Sequence, residues 1–175
     1  MYTINKQSDI YGAFLMELET HKGIIYKISY SFCKTETDCQ DLTQEIIIKL
    51  WESFGAYRPL GKTSTWIYRV SLNTAISFYR KEKTRSKMMS ASQDSLFQLA
   101  QAAPNESNDG DEKVAYLHQF LLELKELDRA LMILYLDEKP LKEIAEIIGI
   151  SPTNVSTKIN RIKAVLKERF SKLNF

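Results

Sequence analysis

Glycine and proline are scarce in this chain, and their scarcity constrains its fold more than any other feature. Six glycines and four prolines occur among 175 residues, and long segments contain neither residue. Such segments favour helices, because glycine and proline are the residues that most disfavour a helix interior. No segment shows the strict alternation of apolar and polar residues that is typical of strands. We therefore predict an all-α fold, with two small helical domains joined by a flexible linker.

Apolar residues recur at steps of three and four in the first half of the chain, which is the spacing of one helix face. The first predicted helix has along this face Phe14, Leu18, His21, Ile25, Ile28 and Phe32. The second has on its apolar side Leu42, Ile46, Leu50 and Phe54. We expect Thr37 to cap the second helix, with Gln40 reaching back. The third is predicted from Thr65 to Lys87, with a face formed by Trp66, Val70, Asn73, Ile76 and Tyr79.

The segment from Ser90 to Asp111 differs in composition, because its small and polar residues cannot form a core of their own. We predict a flexible linker over residues 89–112, between a first domain at 1–88 and a second domain at 113–175. Helical periodicity resumes in the second domain at Val114, Leu117, Leu121, Leu124 and Leu127, then Leu131 and Leu134.

Charge is segregated along the chain, although the formal net charge is only +2. Residues 69–87 contain six bases and one acid, and residues 151–175 again contain six bases and one acid. Between them, residues 92–112 contain five acids and no base. Two basic segments separated by an acidic one predict two contacts with a polyanion. A solvated helix face is the alternative for either basic segment alone.

The most specific motif lies between Leu141 and Leu166. A short helix is followed by Gly149, whose backbone freedom suits a sharp turn. Ser151 is a good N-cap and Pro152 suits the first helical position, so a second helix starts there. The shared core of the two helices is predicted to be Ile144, Ile148, Ile150, Val155, Ile159 and Ile162. This pattern predicts a helix-turn-helix, a motif that proteins use to enter the DNA major groove.

Two predicted helices have polar and basic faces that suit DNA. The second helix of the helix-turn-helix presents short hydrogen-bonding side chains and two cations, which suit base edges and phosphates. Its predicted DNA-binding residues are Thr153, Asn154, Ser156, Thr157, Lys158 and Arg161. The third helix of the first domain interleaves cations, aromatic rings and an asparagine, which suits single-stranded DNA. Its predicted DNA-binding residues are Lys62, Thr63, Arg69, Asn73, Arg80 and Lys81.

Three acids, Asp38, Asp41 and Glu45, share one face of the second predicted helix, with Gln44 beside them. Paired carboxylates can serve in acid–base catalysis or hold a metal ion. No histidine and no glycine-rich loop accompanies these acids, so we interpret them as a solvated face or as a docking surface for a partner. The sequence offers no nucleophile–base pair, phosphate loop or metal cluster, and we predict a protein that is not an enzyme and has no metal or cofactor.

The sequence also indicates where the protein is found. Its longest apolar run, Ala130–Leu136, is far shorter than the about 20 residues of a membrane-spanning helix, and the first residues lack the apolar stretch of a signal peptide. Cys33 and Cys39 fit no common zinc spacing and are expected to be reduced thiols. We expect a cytoplasmic protein without membrane insertion.

Three motifs together resemble a known family. The segment Asp38–Glu45, ending in Lys49-Leu50-Trp51, resembles the core-polymerase-binding helix of bacterial sigma factors. Thr65–Asn73 resembles the helix with which the extracytoplasmic-function (ECF) group recognises the minus-ten promoter element. Leu127-Asp128-Arg129, followed by the helix-turn-helix, resembles the minus-thirty-five domain of that group. The segment Thr153–Lys158 departs from the group, which often has Gly-Thr-Val-Lys-Ser-Arg there.

The resemblance implies a transcription initiation factor that binds core RNA polymerase through the acidic helix. It implies that the first domain captures flipped-out bases of the minus-ten element, and that the second binds the minus-thirty-five element as a duplex. An anti-sigma protein, often membrane-bound, is an implied partner. Two alternatives stay open, a dimeric regulator that binds a palindrome without polymerase and a structural adaptor. Neither explains both the acidic helix and the basic first domain.

Overall fold

The computed structural model describes the backbone over residues 3–56, 62–90 and 109–172, and side chains over 9–56, 62–85 and 114–172. Seven α-helices lie in these ranges, namely α1 (Thr3–Phe32), α2 (Glu36–Phe54), α3 (Thr63–Ser90), α4 (Asp109–Glu123), α5 (Glu126–Leu136), α6 (Leu141–Ile148) and α7 (Pro152–Ser171). The described ranges contain no strand, and the predicted all-α fold is confirmed.

The chain groups into two compact units, Met1–Phe78 and Tyr79–Phe175. Most of the predicted linker, residues 91–108, lies outside the described residues. The ends of that linker are helical, because α3 continues to Ser90 and α4 begins at Asp109. The domain boundaries at residues 88 and 113 stay predictions. Within the described part of the chain, no helix combines the length and the hydropathy that a membrane span requires.

In the first unit, α1 packs against α2 through one apolar face of each helix. The buried residues of this interface include Phe14, Ile25, Ile28, Phe32, Leu42, Ile46 and Leu50, all of them predicted. Burial of each large aliphatic or aromatic side chain contributes about 1.5–3 kcal/mol. The interface also contains the fully buried Ser29, whose hydroxyl is hydrogen-bonded to that of Thr43 at 2.9 Å.

The start of α2 differs from the prediction. Thr35, not Thr37, is the N-cap, and its Oγ1 accepts a hydrogen bond from the backbone N–H of Asp38 at 3.1 Å. Two threonines stand three positions before a polar residue here, and local pattern alone does not choose between them. The earlier start adds about half a turn to α2, in which Cys39 is buried.

The two cysteines lie where α1 ends and α2 begins, and both are buried free thiols, as expected. The Cys39 thiol lies 3.9 Å from the carbonyl oxygen of Ser29. Burial raises the pKa of the Cys39 thiol, while its hydrogen bond with Cys33 has the opposite, smaller effect. The Cys39 thiol is therefore a protonated constituent of the helix interface.

The buried side of α3 is rotated relative to the predicted face. Its buried residues are Thr65, Ile67, Tyr68, Ser71, Leu72, Thr74 and Ala75. The predicted face is half-buried at Trp66, Val70, Ile76 and Tyr79 and exposed at Asn73. The prediction was wrong because the buried side also contains small and hydroxyl-bearing residues, which apolar periodicity does not mark, namely Thr65, Ser71, Thr74 and Ala75.

In the second unit, α5 is the central helix and contacts α4, α6 and α7. Its residues Ala130–Leu134 are all buried, which requires neighbours around most of the helix. The end of α4 depends on α5, because the fully buried Arg129 donates from Nε to the carbonyl oxygen of Leu121 at 2.8 Å. Arg129 also hydrogen-bonds the carbonyl oxygens of Leu122 and Leu124 through Nη2.

The predicted helix-turn-helix is formed by α6 and α7. Gly149 has φ +79° in the left-handed region, where glycine avoids the strain of a side chain, and its N–H donates to the carbonyl oxygen of Ala145 at 2.9 Å. Ser151 is the N-cap of α7, with its Oγ accepting from the backbone N–H of Asn154 at 3.2 Å. The predicted core is buried at Ile144, Val155, Ile159 and Ile162 and half-buried at Ile148 and Ile150.

Candidate functional site

The outer side of α7 is polar. Of the six residues predicted to contact DNA there, four are exposed and two are half-buried. The exposed residues are Thr153, Asn154, Thr157 and Arg161, and the half-buried ones are Ser156 and Lys158. The Ser151 cap satisfies one N–H at the start of this helix, and the helix dipole makes that end attractive to anions such as phosphate.

The structure brings two of these residues, Lys158 and Arg161, together on the carboxylate of Asp128, a residue to which sequence analysis assigned no contact. Asp128, in the first turn of α5, accepts a hydrogen bond from Arg161 Nη2 at 3.0 Å through Oδ2. Its Oδ1 lies 3.4 Å from Lys158 Nζ. Asp128 itself is buried. The available signal was an acid beside Arg129 at the start of an otherwise apolar segment, where a charge needs a partner.

An exposed stripe runs along α3. Lys62 immediately precedes this helix, and Lys62, Arg69 and Asn73 are exposed at spacings of seven and four, so they share one helix face. Arg80 and Lys81 are exposed further along, whereas Thr63 is half-buried. The stripe therefore contains five of the six residues predicted to contact single-stranded DNA.

Arg80 belongs to the second unit and has a partner within that unit. Its Nε donates to Glu126 Oε1 at 2.8 Å. That hydrogen bond holds the pKa of the Glu126 carboxyl below its usual value. A phosphate contact by Arg80 would have to compete with this carboxylate.

The acidic face of α2 is accessible. Asp41 and Gln44 are exposed, while Asp38 and Glu45 are half-buried. Asp38 lies in the first turn, where the helix dipole favours an acid. In the described part of the chain, no three histidine, cysteine or acidic side chains are grouped so as to hold a metal ion.

The acidic face continues into exposed apolar residues. Ile48 and Trp51 follow at helical spacing and are 54% and 38% exposed. The Trp51 ring packs edge-on against Tyr11 and Phe14, with centroids 5.7 and 5.1 Å apart. An apolar patch bordered by charged residues is typical of a protein–protein contact. Sequence analysis did not single out Ile48, although its place one turn after Gln44 and Glu45 was the available signal.

Two family models match the chain in the order of the two described units. The model for Sigma-70 region 2 matches residues 18–85. The model for Sigma-70, region 4 matches residues 115–166. The matched ranges include α2, nearly all of α3, and the helix-turn-helix of α6 and α7.

Individual sigma factors are also similar in sequence to this chain over most of its length. RNA polymerase sigma factor SigV of Bacillus subtilis is 29% identical over 153 residues, 87% of each chain. ECF RNA polymerase sigma factor SigW of the same bacterium is 27% identical over 169 residues, 92% of this chain and 90% of SigW.

Solved structures share the fold. The sigma factor RpoE in complex with the anti-sigma factor NepR from Bartonella quintana has a TM-score of 0.71 at 18% identity, over 91% of this chain and 98% of that one. CnrH in complex with the cytosolic domain of CnrY has a TM-score of 0.65 at 19% identity, over 92% and 89%.

Proposed function

This chain belongs to the ECF group of sigma factors, within the sigma-70 family, and we propose that it directs core RNA polymerase to promoters by recognising two DNA elements. Sigma factors act in transcription initiation and are not enzymes. The observation that best supports two-element recognition is the pair of exposed polar helix faces, one on α3 and one on α7. Each face belongs to a separately matched sigma-70 region.

The minus-thirty-five element is assigned to α7. Its outer side exposes Asn154 and Arg161, and an asparagine can pair with adenine through two hydrogen bonds, whereas an arginine can do so with guanine. The exposed N-terminal turn is the part of a recognition helix that enters the major groove. The same turn holds Thr153, whose short side chain suits close approach to a base or phosphate.

The minus-ten element is assigned to α3. Asn73 is an exposed amide at the centre of the stripe, and a flipped-out base offers the hydrogen-bonding edge that such an amide recognises. Lys62, Arg69 and Lys81 are exposed cations that suit the phosphates of a single strand. We assign sequence preference to Asn73 and general affinity to the cations.

Core polymerase is the proposed partner of the acidic face of α2. Asp41 and Gln44 supply polar contacts, and Ile48 and Trp51 supply exposed apolar area next to them. Apolar residues at the centre of a contact contribute most of its binding energy, and surrounding charges steer the encounter. A protein that works with RNA polymerase acts in the cytoplasm, which is the proposed location.

An anti-sigma protein is the proposed regulator. Of the structural relatives described above, the sigma factor RpoE is bound to the anti-sigma factor NepR. CnrH, an RNA polymerase sigma factor, is bound to the cytosolic domain of CnrY. A chain of the same fold offers a partner the same two helical units. The partner of this chain is expected to occlude the exposed faces on α2, α3 or α7.

The docking proposal is tested by reversing charge on α2. We expect the double variant Asp41→Lys, Glu45→Lys to lose binding to core RNA polymerase in a pull-down and to lose run-off transcription. Neither side chain is buried, so the far-ultraviolet circular dichroism and the melting temperature should stay near those of the unchanged protein.

The matched control makes the same change of charge on α1. Asp9 and Glu19 are exposed there, and Asp9→Lys, Glu19→Lys should bind polymerase like the unchanged chain. If a folded α2 variant still binds polymerase as tightly as this control, the acidic face is not the docking surface. If the unchanged chain binds duplex DNA but no polymerase, the conventional regulator becomes the better description.

A further inference from the structure

A buried carboxylate of α5 contacts the two cations of the proposed recognition helix. Asp128 is 8% exposed, and its two oxygens face different partners, Oδ1 towards Lys158 at 3.4 Å and Oδ2 towards Arg161 at 3.0 Å. A buried carboxylate is tolerated only when charged partners compensate its lost hydration. The position of Asp128 is set by α5, the central helix of the unit, so the carboxylate is a fixed point for both flexible side chains.

The two cations keep most of their hydrogen-bonding capacity for a ligand. The Arg161 side chain is 66% exposed although one of its terminal nitrogens is hydrogen-bonded to Asp128. A guanidinium has five N–H donors, and an ammonium has three. Arg161 is therefore anchored at one point and largely open to solvent elsewhere. Lys158 is half-buried and anchored on the same carboxylate. Both are arranged like side chains that are oriented before they bind.

Taking the proposed function of α7 as its premise, we propose that Asp128 is a positioning residue that orients Lys158 and Arg161 and so determines promoter specificity rather than affinity. Base contacts require side chains held within about 0.5 Å of the productive geometry. Contacts with phosphates are far less demanding, because they depend mainly on net charge. A cation held in place by Asp128 therefore gains more binding free energy from a matching base than from a phosphate of the DNA backbone.

The negative charge of Asp128 also favours sequence discrimination over general affinity for DNA. The three side chains together have a net charge of +1, and neutralising the carboxylate raises it to +2. More positive charge strengthens binding to any duplex. Loss of Asp128 is therefore expected to increase affinity for unrelated DNA and to decrease discrimination, two effects of opposite sign that a simple loss of structure does not produce.

The experiment measures the full chain and its variant Asp128→Asn against two duplexes. The matched duplex is the sequence that the unchanged chain enriches from a pool with a randomised minus-thirty-five region, and the second is its scrambled version. We expect Asp128→Asn to bind the scrambled duplex at least as tightly as the unchanged chain. We expect the ratio of matched to scrambled affinity to fall by at least about fivefold, the smaller end of what one base contact contributes.

Two further variants separate geometry from charge and from folding. Glu138→Gln removes one negative charge at an exposed position of the same unit, and it should leave the ratio unchanged. Asp128→Glu keeps the charge but displaces the carboxylate by one methylene group, and it should lower the ratio without changing scrambled affinity. This variant also replaces Asp128→Asn as the test if the latter does not fold.

The possible results are distinct. If Asp128→Asn changes both affinities by the same factor as Glu138→Gln, Asp128 acts only through its charge and the proposal is overturned. An unchanged ratio for Asp128→Glu overturns it as well. If the unchanged chain enriches no sequence from the pool, the proposed function of α7 fails, and that result is obtained before any variant is measured.

Discussion

Arg129 donates its Nε–H to the carbonyl oxygen of Leu121 at 2.8 Å, so a side chain of α5 closes the end of α4. The same guanidinium reaches the carbonyl oxygen of Leu124 at 3.2 Å. The last carbonyls of a helix have no partner within it, and here no glycine follows Glu123 to form a left-handed cap. The buried charge of Arg129 is therefore used to satisfy backbone acceptors.

Arg129→Lys should destabilise the second unit by about 2–4 kcal/mol, because an ammonium cannot reproduce the planar fork and leaves buried carbonyls without partners. Urea unfolding followed by circular dichroism measures this change, and amide hydrogen exchange should accelerate in α4. Arg169→Lys is the control, since Arg169 forms an exposed ion pair with Glu123 and its loss should cost less than about 1 kcal/mol. Equal stabilities of the two variants would contradict the capping role.

Gly149→Ala should destabilise the helix-turn-helix by about 1 kcal/mol, because alanine is strained at φ +79°. The cost is conformational alone, since a Cβ at this position meets nothing within 4 Å. Gly23→Ala is the matched control inside α1, where a Cβ also meets nothing within 4 Å. That variant should be more stable than the unchanged chain by about 0.5–1 kcal/mol. Changes of the same sign in thermal unfolding would show that backbone conformation is not the cause.

Ser71→Ala should stabilise the first unit by about 1 kcal/mol. The Ser71 hydroxyl is fully buried in α3 and has no hydrogen-bond partner. Its replacement removes the cost of burying an unsatisfied polar group, and alanine has a higher helix propensity than serine. Ser29→Ala removes an equally buried hydroxyl that is hydrogen-bonded to Thr43, and it should destabilise by about 1 kcal/mol. Denaturant midpoints of the two variants are expected on opposite sides of the unchanged protein, and a loss of stability in Ser71→Ala would refute this account.

Asn73→Ala should reduce sequence preference for single-stranded DNA by about 1–3 kcal/mol without loss of stability, because the amide is exposed. Fluorescence anisotropy with an enriched single-stranded probe and its scrambled version measures this preference. Ser77→Ala alters an exposed residue one turn further along α3 and should keep the preference. Equal weakening on both probes for Asn73→Ala would assign Asn73 to general affinity.

Local signals made the helix-turn-helix predictable from sequence. Gly149, Ser151 and Pro152 act on their own backbone or on residues within one turn, so their roles follow from position alone. The apolar faces of α1 and α2 were predictable because their apolar residues recur at the spacing of one helix face. The choice of Thr35 over Thr37 as N-cap was not predictable, because both threonines fit the same local pattern.

Long-range contacts explain what sequence analysis missed. Asp128 lies 30 residues before Lys158 and 33 before Arg161, and no periodicity connects positions so far apart. The burial of Ser71 and Ala75 in α3 similarly depends on the shape of the surrounding core. The pattern of apolar residues therefore predicted where helices occur better than which side chains meet.

The hydrogen bond between Ser29 and Thr43 has a consequence for the alignment of α1 and α2. An interface of apolar side chains alone has no directional requirement, and such helices can slide by one turn, about 5.4 Å. Sliding would separate the two hydroxyls and leave a buried one unpartnered, at a cost of roughly 1–3 kcal/mol. One axial register is therefore favoured, and it sets how far along α1 the acids of α2 lie. A partner that contacts both helices meets a surface of fixed spacing.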